Sequence, residues 1–464
     1  MEHATVTITA GPALFAPERR AVSVAAIALV SMLAFEALAV TAAMPEIARA
    51  LDGLEQYALA FGATLATSVI GMVAAGSDCD RHGPARSMLA GLLLFAAGLL
   101  AAGFASDMHM LVFGRVLQGL GSGAMGVALY VTVGRWYPAE LRPRLFALFA
   151  AAWVLPAIIG PGLAGLIVEW LGWRWVFLAV ALLLPPAAWT FLPAARSLAP
   201  SGVAEDTNAT RRLCLAVIAA LAALALHDYA TQAAQRSPLQ AGAGFCVLLY
   251  ACAGLLPAGT LTARRGLPTV IALRGLVAGA FFAAEAFVPL WLTQHGWTIA
   301  TAGLALSCGG VSWSAGSALQ SRISDPVRRH TLLRAGFALL FLALAALTLI
   351  AWFDQGLYWV LPTWALAGFG VGMSFPSLSV LMLGLSAEHE QGRHSSALQL
   401  SDALATTATL ALCGGLYVSL HPWVPSERFA IVLAAAALIA LLATALSRRV
   451  QPRVAGEQPV GRLP

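Results

Sequence analysis

Charged side chains that interrupt long apolar runs are the residues here whose chemistry needs explaining. An ionised group at the middle of a bilayer costs about 2.5–3.5 kcal/mol even on lenient scales, so it is kept for a reason. Glu36 follows Arg20 by 16 residues, about 24 Å along a helix at 1.5 Å per residue. Arg115 follows His109 by 6 residues, about 9 Å inward from the opposite end of its own run. In a slab about 30 Å thick the two sit at a similar height, in the outer half. Desolvation favours the protonated carboxyl and a guanidinium favours the charged one, so such a pair can bind a proton and a cation in alternation. A fixed ion pair that ties two helices together is the other reading. Glu285 lies 11 residues after Arg274, and Asp402 lies 9 after Arg393, about 16 and 13 Å in. Asp402 shares a helix face with Gln399 at i, i+3. Both acids are expected to face a central cavity, with an inter-helix hydrogen bond as the alternative for Asp402. His227-Asp228 reads as an interfacial pair.

The elements that position these groups follow from composition. The 464 residues are 59% hydrophobic and 11% charged, with mean hydropathy +0.80, whereas soluble chains carry about 25% charge. Lipid must solvate most of the chain. All 27 basic residues are Arg, and without a basic cluster nucleic acid is excluded as a partner. The cysteines 79, 214, 246, 252, 308 and 413 form no CxxC and read as packing residues. The run after Arg19-Arg20 is too long for a cleaved signal and is read as a retained helix.

Fourteen spans are expected, near 21–44, 56–76, 86–106, 109–133, 144–168, 173–192, 213–231, 240–258, 268–293, 299–320, 331–352, 357–383, 395–420 and 428–447. If the seventh and eighth are one surface hairpin, the count is twelve. With the N-terminus inside, 22 of 27 Arg are cytoplasmic, Arg274 among them; Arg49, Arg174, Arg236 and Arg428 lie outside and Arg115 in a span. Trp136, Trp170, Trp173, Trp297, Trp352 and Trp359 fall at span ends as an aromatic belt. This predicts a multi-pass protein of the inner membrane with both termini cytoplasmic.

An internal repeat organises the spans. Glu36-Ala37-Leu38 matches Glu285-Ala286-Phe287, and Gly119-Leu-Gly121-Ser-Gly123 matches Gly368-Phe-Gly370-Val-Gly372. The offsets are 285 − 36 = 249 and 368 − 119 = 249. Paired halves around a midplane site are the design of secondary transporters. The expected fold is all-α: two pseudo-symmetric six-helix bundles, 21–192 and 268–447, with two inserted helices in 213–258. A cytoplasmic tail 1–20, a linker 193–212 (PAARSLAPSGVAEDTNATRR) and a tail 448–464 complete it.

Four local patterns resemble the major facilitator superfamily, in particular its fourteen-helix drug:proton antiporters. The loop Gly76-Ser-Asp78-Cys-Asp80-Arg81-His-Gly83-Pro-Ala-Arg86 resembles GxLADRxGRR, with Pro84-Ala85 where two basic residues are usual and Arg86 as their substitute. Arg115-Val-Leu-Gln118-Gly119 is similar to the RxxQGxG helix, and Gly160-Pro161-Gly162-Leu-Ala-Gly165 to the GPxxGG signature, with Pro156 in place of its earlier Gly. Glu36-Ala-Leu-Ala-Val-Thr41-Ala-Ala-Met-Pro45 resembles D-x-T-x-x-N-x-x-L-P, with Glu for Asp.

The resemblance implies a proton-coupled exporter of hydrophobic or cationic small molecules working by alternating access. Its coupling and substrate residues would be Glu36, Arg115, Gln118, Glu285, Gln399 and Asp402. A cytoplasmic gate would use Gly76, Asp80, Arg81, Gly83 and Arg86, and Gly160, Pro161 and Gly165 would mark the antiporter helix. Positive-inside anchoring and plain packing kinks are the structural alternatives for those two sets. Trp153, Met125, Met373, Phe375 and Trp364 would suit an adaptable apolar pocket. Protons, a hydrophobic substrate and the bilayer are the expected partners of a monomer with no cofactor and no metal. Gly121-Ser-Gly123-Ala-Met-Gly126 lacks the strand a dinucleotide needs, and His389 and His394 diverge at i, i+5, so zinc is not expected. Proton-coupled movement of a specific metabolite is the rival. No nucleophile or metal constellation supports an enzyme, and a scaffold needs no matched carboxylates.

Overall fold

The computed structural model describes residues 14–53, 57–200, 208–232, 238–296, 299–323, 325–354, 357–420, 424 and 427–451. Among these the chain forms fourteen α-helices. The first six are α1 (Pro17–Ala50), α2 (Tyr57–His82), α3 (Pro84–Gly103), α4 (Met108–Trp136), α5 (Arg142–Leu171) and α6 (Trp175–Arg196). Then come α7 (Ala209–Gln232) and α8 (Pro238–Leu255). The last six are α9 (Leu267–Gln294), α10 (Ile299–Ser321), α11 (Pro326–Trp352), α12 (Val360–Gly384), α13 (Gln391–Ser419) and α14 (Arg428–Leu446). Each of the fourteen expected spans falls on one helix, so α7 and α8 are two helices. Ten of the fourteen are long and apolar enough to cross a bilayer; α2, α8, α10 and α13 fall short of that combined measure among the described residues.

Helix contacts repeat with a shift of eight. In the first half α1 packs on α5 and α6, α2 and α3 on α4, and α3 on α6. In the second half α9 packs on α13 and α14, α10 and α11 on α12, and α11 on α14. The glycines found in the sequence create these approaches, because only a residue without Cβ lets two backbones meet. A methyl group on Gly119 would collide with the Thr64 carbonyl, and one on Gly368 with the Gly309 carbonyl. Gly123 meets the Ser68 carbonyl, and Gly372 that of Trp313. Gly121 lies on the Gly91 carbonyl, and Gly370 on that of Gly336. The carbonyl partners are separated by 309 − 64 = 313 − 68 = 336 − 91 = 245. The repeat is therefore geometric as well as textual.

The halves touch along two seams, α2 with α13 and α5 with α10, which are equivalent under the same shift. The inserted pair sits across the first of them: α7 packs on both α2 and α13, and α8 on α7 and α13.

Several expectations need correction. Trp173 is buried against Phe177, with the Arg174 guanidinium 4.4 Å above its ring, so it is no belt residue. Trp170, Trp352 and Trp359 are exposed as a belt requires. Trp364, Met125 and Met373, expected to suit a pocket, are buried between helices, with Trp364 stacked 4.8 Å from Phe281. The linker shortens from both sides, since α6 runs to Arg196 and α7 begins at Ala209. Trp297, Arg236, Arg453 and Arg462 lie outside the described residues, as do the side chains of Pro161, His227 and Asp228.

Candidate functional site

Three constellations follow from this packing. The first joins α1 and α4. Because Gly119 draws α4 onto α2, the turn before it places the Arg115 guanidinium near the α2 backbone. Arg115 Nε donates to the Ala60 carbonyl at 3.2 Å, and Thr64 Oγ1 donates to the Arg115 carbonyl at 3.1 Å. Arg115 Nη1 contacts Glu36 Oε1 and also donates to Gln118 Oε1 at 2.6 Å. Glu36 is 3% exposed, Arg115 4% and Gln118 0%. The height matching made from the sequence thus ends in a direct contact. Gln118 Nε2 is left as a buried donor with no partner among the described residues, and buried polar groups are usually paired. Gly160 of α5 packs beside this site, 3.9 Å from Phe35 and Leu38 at the position of an added methyl. Gly165 has open space there.

The second constellation is one the sequence reading missed. Arg274 belongs inside α9 and is 7% exposed. Its Nε and Nη2 reach Asp402 Oδ2 of α13 at 3.0 and 2.9 Å. Nη1 donates to the Phe375 carbonyl at 3.2 Å and Ser379 Oγ at 3.3 Å, and the guanidinium lies 3.7 Å above the Phe375 ring. Arg274 therefore leaves the surface-anchor set, and Asp402 is ion-paired between helices. The available signal was depth: Arg274 stands seven residues into its apolar run, much as Arg115 does. Gln399 points elsewhere, with Oε1 against Gly126 of α4 across the gap between halves. Glu285 is half-buried and, among the described residues, has neither ion pair nor hydrogen bond.

The third constellation closes the Arg-rich end. Asp80, in the last turn of α2 beyond its spanning stretch, accepts from the backbone N–H groups of Gly392 at 2.6 Å and Arg393 at 2.8 Å. A carboxylate from one half thereby caps the N-terminus of α13 in the other, where the helix dipole favours negative charge. Burial pushes the Asp80 carboxyl up to about 6, against the opposing pull of those two N–H groups. Gly76 lies against Gly392 and Ser396, so a side chain there would wedge the seam open. Gly83 takes φ +83° to turn the chain into α3, a conformation that favours glycine. Arg86 does not serve Asp80: its Nε is 3.5 Å from Asp78 Oδ1, which also binds His82 and, through Oδ2, Ser87. Arg81 is half-buried beside them. On the other seam, Gln320 of α10 donates to the Pro143 carbonyl of α5 at 3.4 Å.

Among the described residues no cluster could hold a metal ion and all six cysteines are free. His394 is tied to the Ser386 hydroxyl at 2.9 Å.

Comparison with known proteins agrees with this geometry. A family model described as Major Facilitator Superfamily matches residues 24–409. Multidrug resistance protein 3 of Bacillus subtilis is 30% identical over 146 residues, 32% of this chain and 28% of that protein, so the match spans under a third of its length. A probable multidrug-efflux transporter of Mycobacterium tuberculosis is 27% identical over 376 residues, 76% of this chain and 78% of that one. Among solved structures, the human organic anion transporter MFSD10 superposes with TM-score 0.69 at 15% identity, over 92% of this chain and 99% of that one. At that identity the likeness concerns the fold. The chain belongs to the Major Facilitator Superfamily, a family of transporters and not of enzymes.

Proposed function

We propose that this member of the superfamily is a proton-coupled efflux transporter, exporting hydrophobic or cationic small molecules across the inner membrane by alternating access. The Arg-rich face would be cytoplasmic, with both termini on it. The buried Glu36–Arg115–Gln118 constellation carries the reading. A proton on Glu36 removes the charge that holds Arg115, which keeps Gln118 Oε1 and the Ala60 carbonyl as acceptors. A cation competes for the deprotonated carboxylate, so proton and cargo exclude each other. A proton moving down the membrane potential supplies about 2.3 kcal/mol per 100 mV. The multidrug names of the relatives support the cargo class.

In this reading Asp80, with Gly76, Arg81, Gly83 and Arg86, forms the cytoplasmic gate, latched when the halves rock toward the outside. Gly160, Pro161 and Gly165 let α5 move against α1. Glu285, Gln399 and the Arg274–Asp402 pair serve the second half of the substrate path. The transporter works as a monomer, without a cofactor.

The test is transport of a lipophilic cation, tetraphenylphosphonium, in proteoliposomes with an imposed pH gradient. Wild type should move it against its gradient and Glu36→Gln should not. Gradient-driven transport unaltered by Glu36→Gln would end the coupling role of Glu36.

A further inference from the structure

A groove of about 600 Å³ runs between α1 and α6, outside the site described above and open at the surface of the helix bundle. Its cause is local. Packed helices normally interdigitate their side chains at axial distances of 8–10 Å. Here α1 presents Ala21, Ala25 and Ala28, and α6 answers with Pro186 and Ala187. These are too short to fill the space between them, and the longer lining residues Val24 and Leu183 are left exposed. The groove runs from Pro17 at the Arg-rich face to Met32, 15 residues, or about 22 Å along α1. Half of a hydrocarbon core about 30 Å thick is about 15 Å. The groove therefore has the reach of one leaflet with its headgroup region.

Its mouth is charged. Arg20 lines the entrance, is exposed, and its side chain has no ion pair or hydrogen bond among the described residues. The neighbouring Arg19 stands 4.0 Å from Glu18, so that local pair cancels and Arg20 supplies the net charge. Below the mouth the lining is apolar apart from Thr190, whose hydroxyl donates to the Pro186 carbonyl of its own helix at 2.8 Å.

We propose that this groove is a binding site for an anionic phospholipid, with one acyl chain along the alanine–proline trough and the phosphate on Arg20. The trough supplies dispersion contacts that helix packing leaves unmade, and the guanidinium selects the negative headgroup. Met32, at the inner end, is one helical turn from Glu36. The bound chain would brace the stretch of α1 that carries that carboxylate. The proposal does not depend on what is transported.

Native mass spectrometry of the full chain, titrated with equal amounts of phosphatidylglycerol and phosphatidylcholine of the same acyl composition, tests it. Wild type should retain phosphatidylglycerol in preference. Arg20→Gln should cut that preference about five-fold, the selectivity of one basic residue at a membrane surface. Arg322→Gln, at an exposed position just after α10, should leave it unchanged. Ala28→Phe should reduce retention of both lipids; should it fail to fold, Ala21→Phe at an exposed position near the mouth does the same work. Equal retention of the two lipids by wild type, or a preference indifferent to Arg20→Gln, overturns the proposal. So does retention of both lipids undiminished by a folded trough-filling variant.

Discussion

Arg274 of α9 holds Asp402 of α13 at 2.9 Å while its guanidinium lies 3.7 Å over the Phe375 ring of α12. One side chain thus ties three helices of the second half by charge, by hydrogen bonds and by a cation–π contact. The first half has its own buried acid–base pair, Glu36 with Arg115, but on different helices. The repeat that relates the two backbones, and matches Glu36 with Glu285, does not extend to these ion pairs.

Removing one partner of the second pair strands the other in a poorly solvated place, and such losses run to about 3–5 kcal/mol. Arg274→Gln and Asp402→Asn should each lower the unfolding temperature in detergent. The double variant should be less damaged than the sum of the two, and simple additivity would show that the contact carries no energy.

Arg115→Lys keeps the charge but loses the planar fork, so one ammonium must replace donors now facing Glu36, Gln118 and the Ala60 carbonyl. Losing even one charge-assisted hydrogen bond costs about 1.5 kcal/mol. The initial rate of gradient-driven transport should therefore fall about ten-fold or more. A rate within two-fold of wild type, roughly 0.4 kcal/mol, would reduce Arg115 to a point charge.

The Asp80 latch should respond to acid in a definite direction. Its carboxyl sits at about 6 where it is buried, against an ordinary value of 3.8 in water. The closed arrangement then takes up a proton that an open, solvated Asp80 does not. By linkage, acidification favours closure as pH falls from about 6 toward 4, and well above 6 pH has no leverage. Spin labels at the exposed positions 82 and 389 should report about ten-fold more of the short distance relative to the long at pH 5 than at pH 7. Asp80→Asn should abolish that dependence. A wild-type response that is flat, or of opposite sign, contradicts the assignment.

Glycine substitutions separate contact from freedom. Gly368→Ala drives a methyl into the Gly309 carbonyl, and overpacking of this kind costs about 1–3 kcal/mol. Gly165→Ala meets open space and Gly160→Ala meets only ordinary contacts at 3.9 Å. Thermal stability should fall for the first and hold for the other two. Transport lost in a stable Gly160→Ala variant would assign that residue to motion.

What the sequence disclosed was whatever depends on distance along a helix. Counting residues from Arg20 and from His109 brought Glu36 and Arg115 to one height, and they touch. The 249-residue offset identified glycines that make equivalent backbone crossings. What stayed hidden depends on rotation about helix axes and on which helices become neighbours. Arg274 was counted as a surface anchor because no local pattern says that a carboxylate 128 residues away will face it. Which acid of the loop meets which partner was hidden for a related reason: Asp78 and Asp80 lie on different sides of one helical turn, and Arg86 pairs with Asp78. Only Asp80 faces the other half. Trp364 and Met373 carry the chemistry of a pocket, yet the close crossing of α10 and α12 consumes the space around them.

The placement of α7 has a mechanical consequence. Its Arg212 reaches Ser77 of α2 at 3.4 Å, while other parts of the same helix rest on α13. In the rocking proposed above, a body that leans on both halves would stay with one and slip over the other. Every turnover would then load the α7–α13 surface, and friction on that flank, with no inserted helix against the α5–α10 side among the described residues, would make the stroke of this machine lopsided.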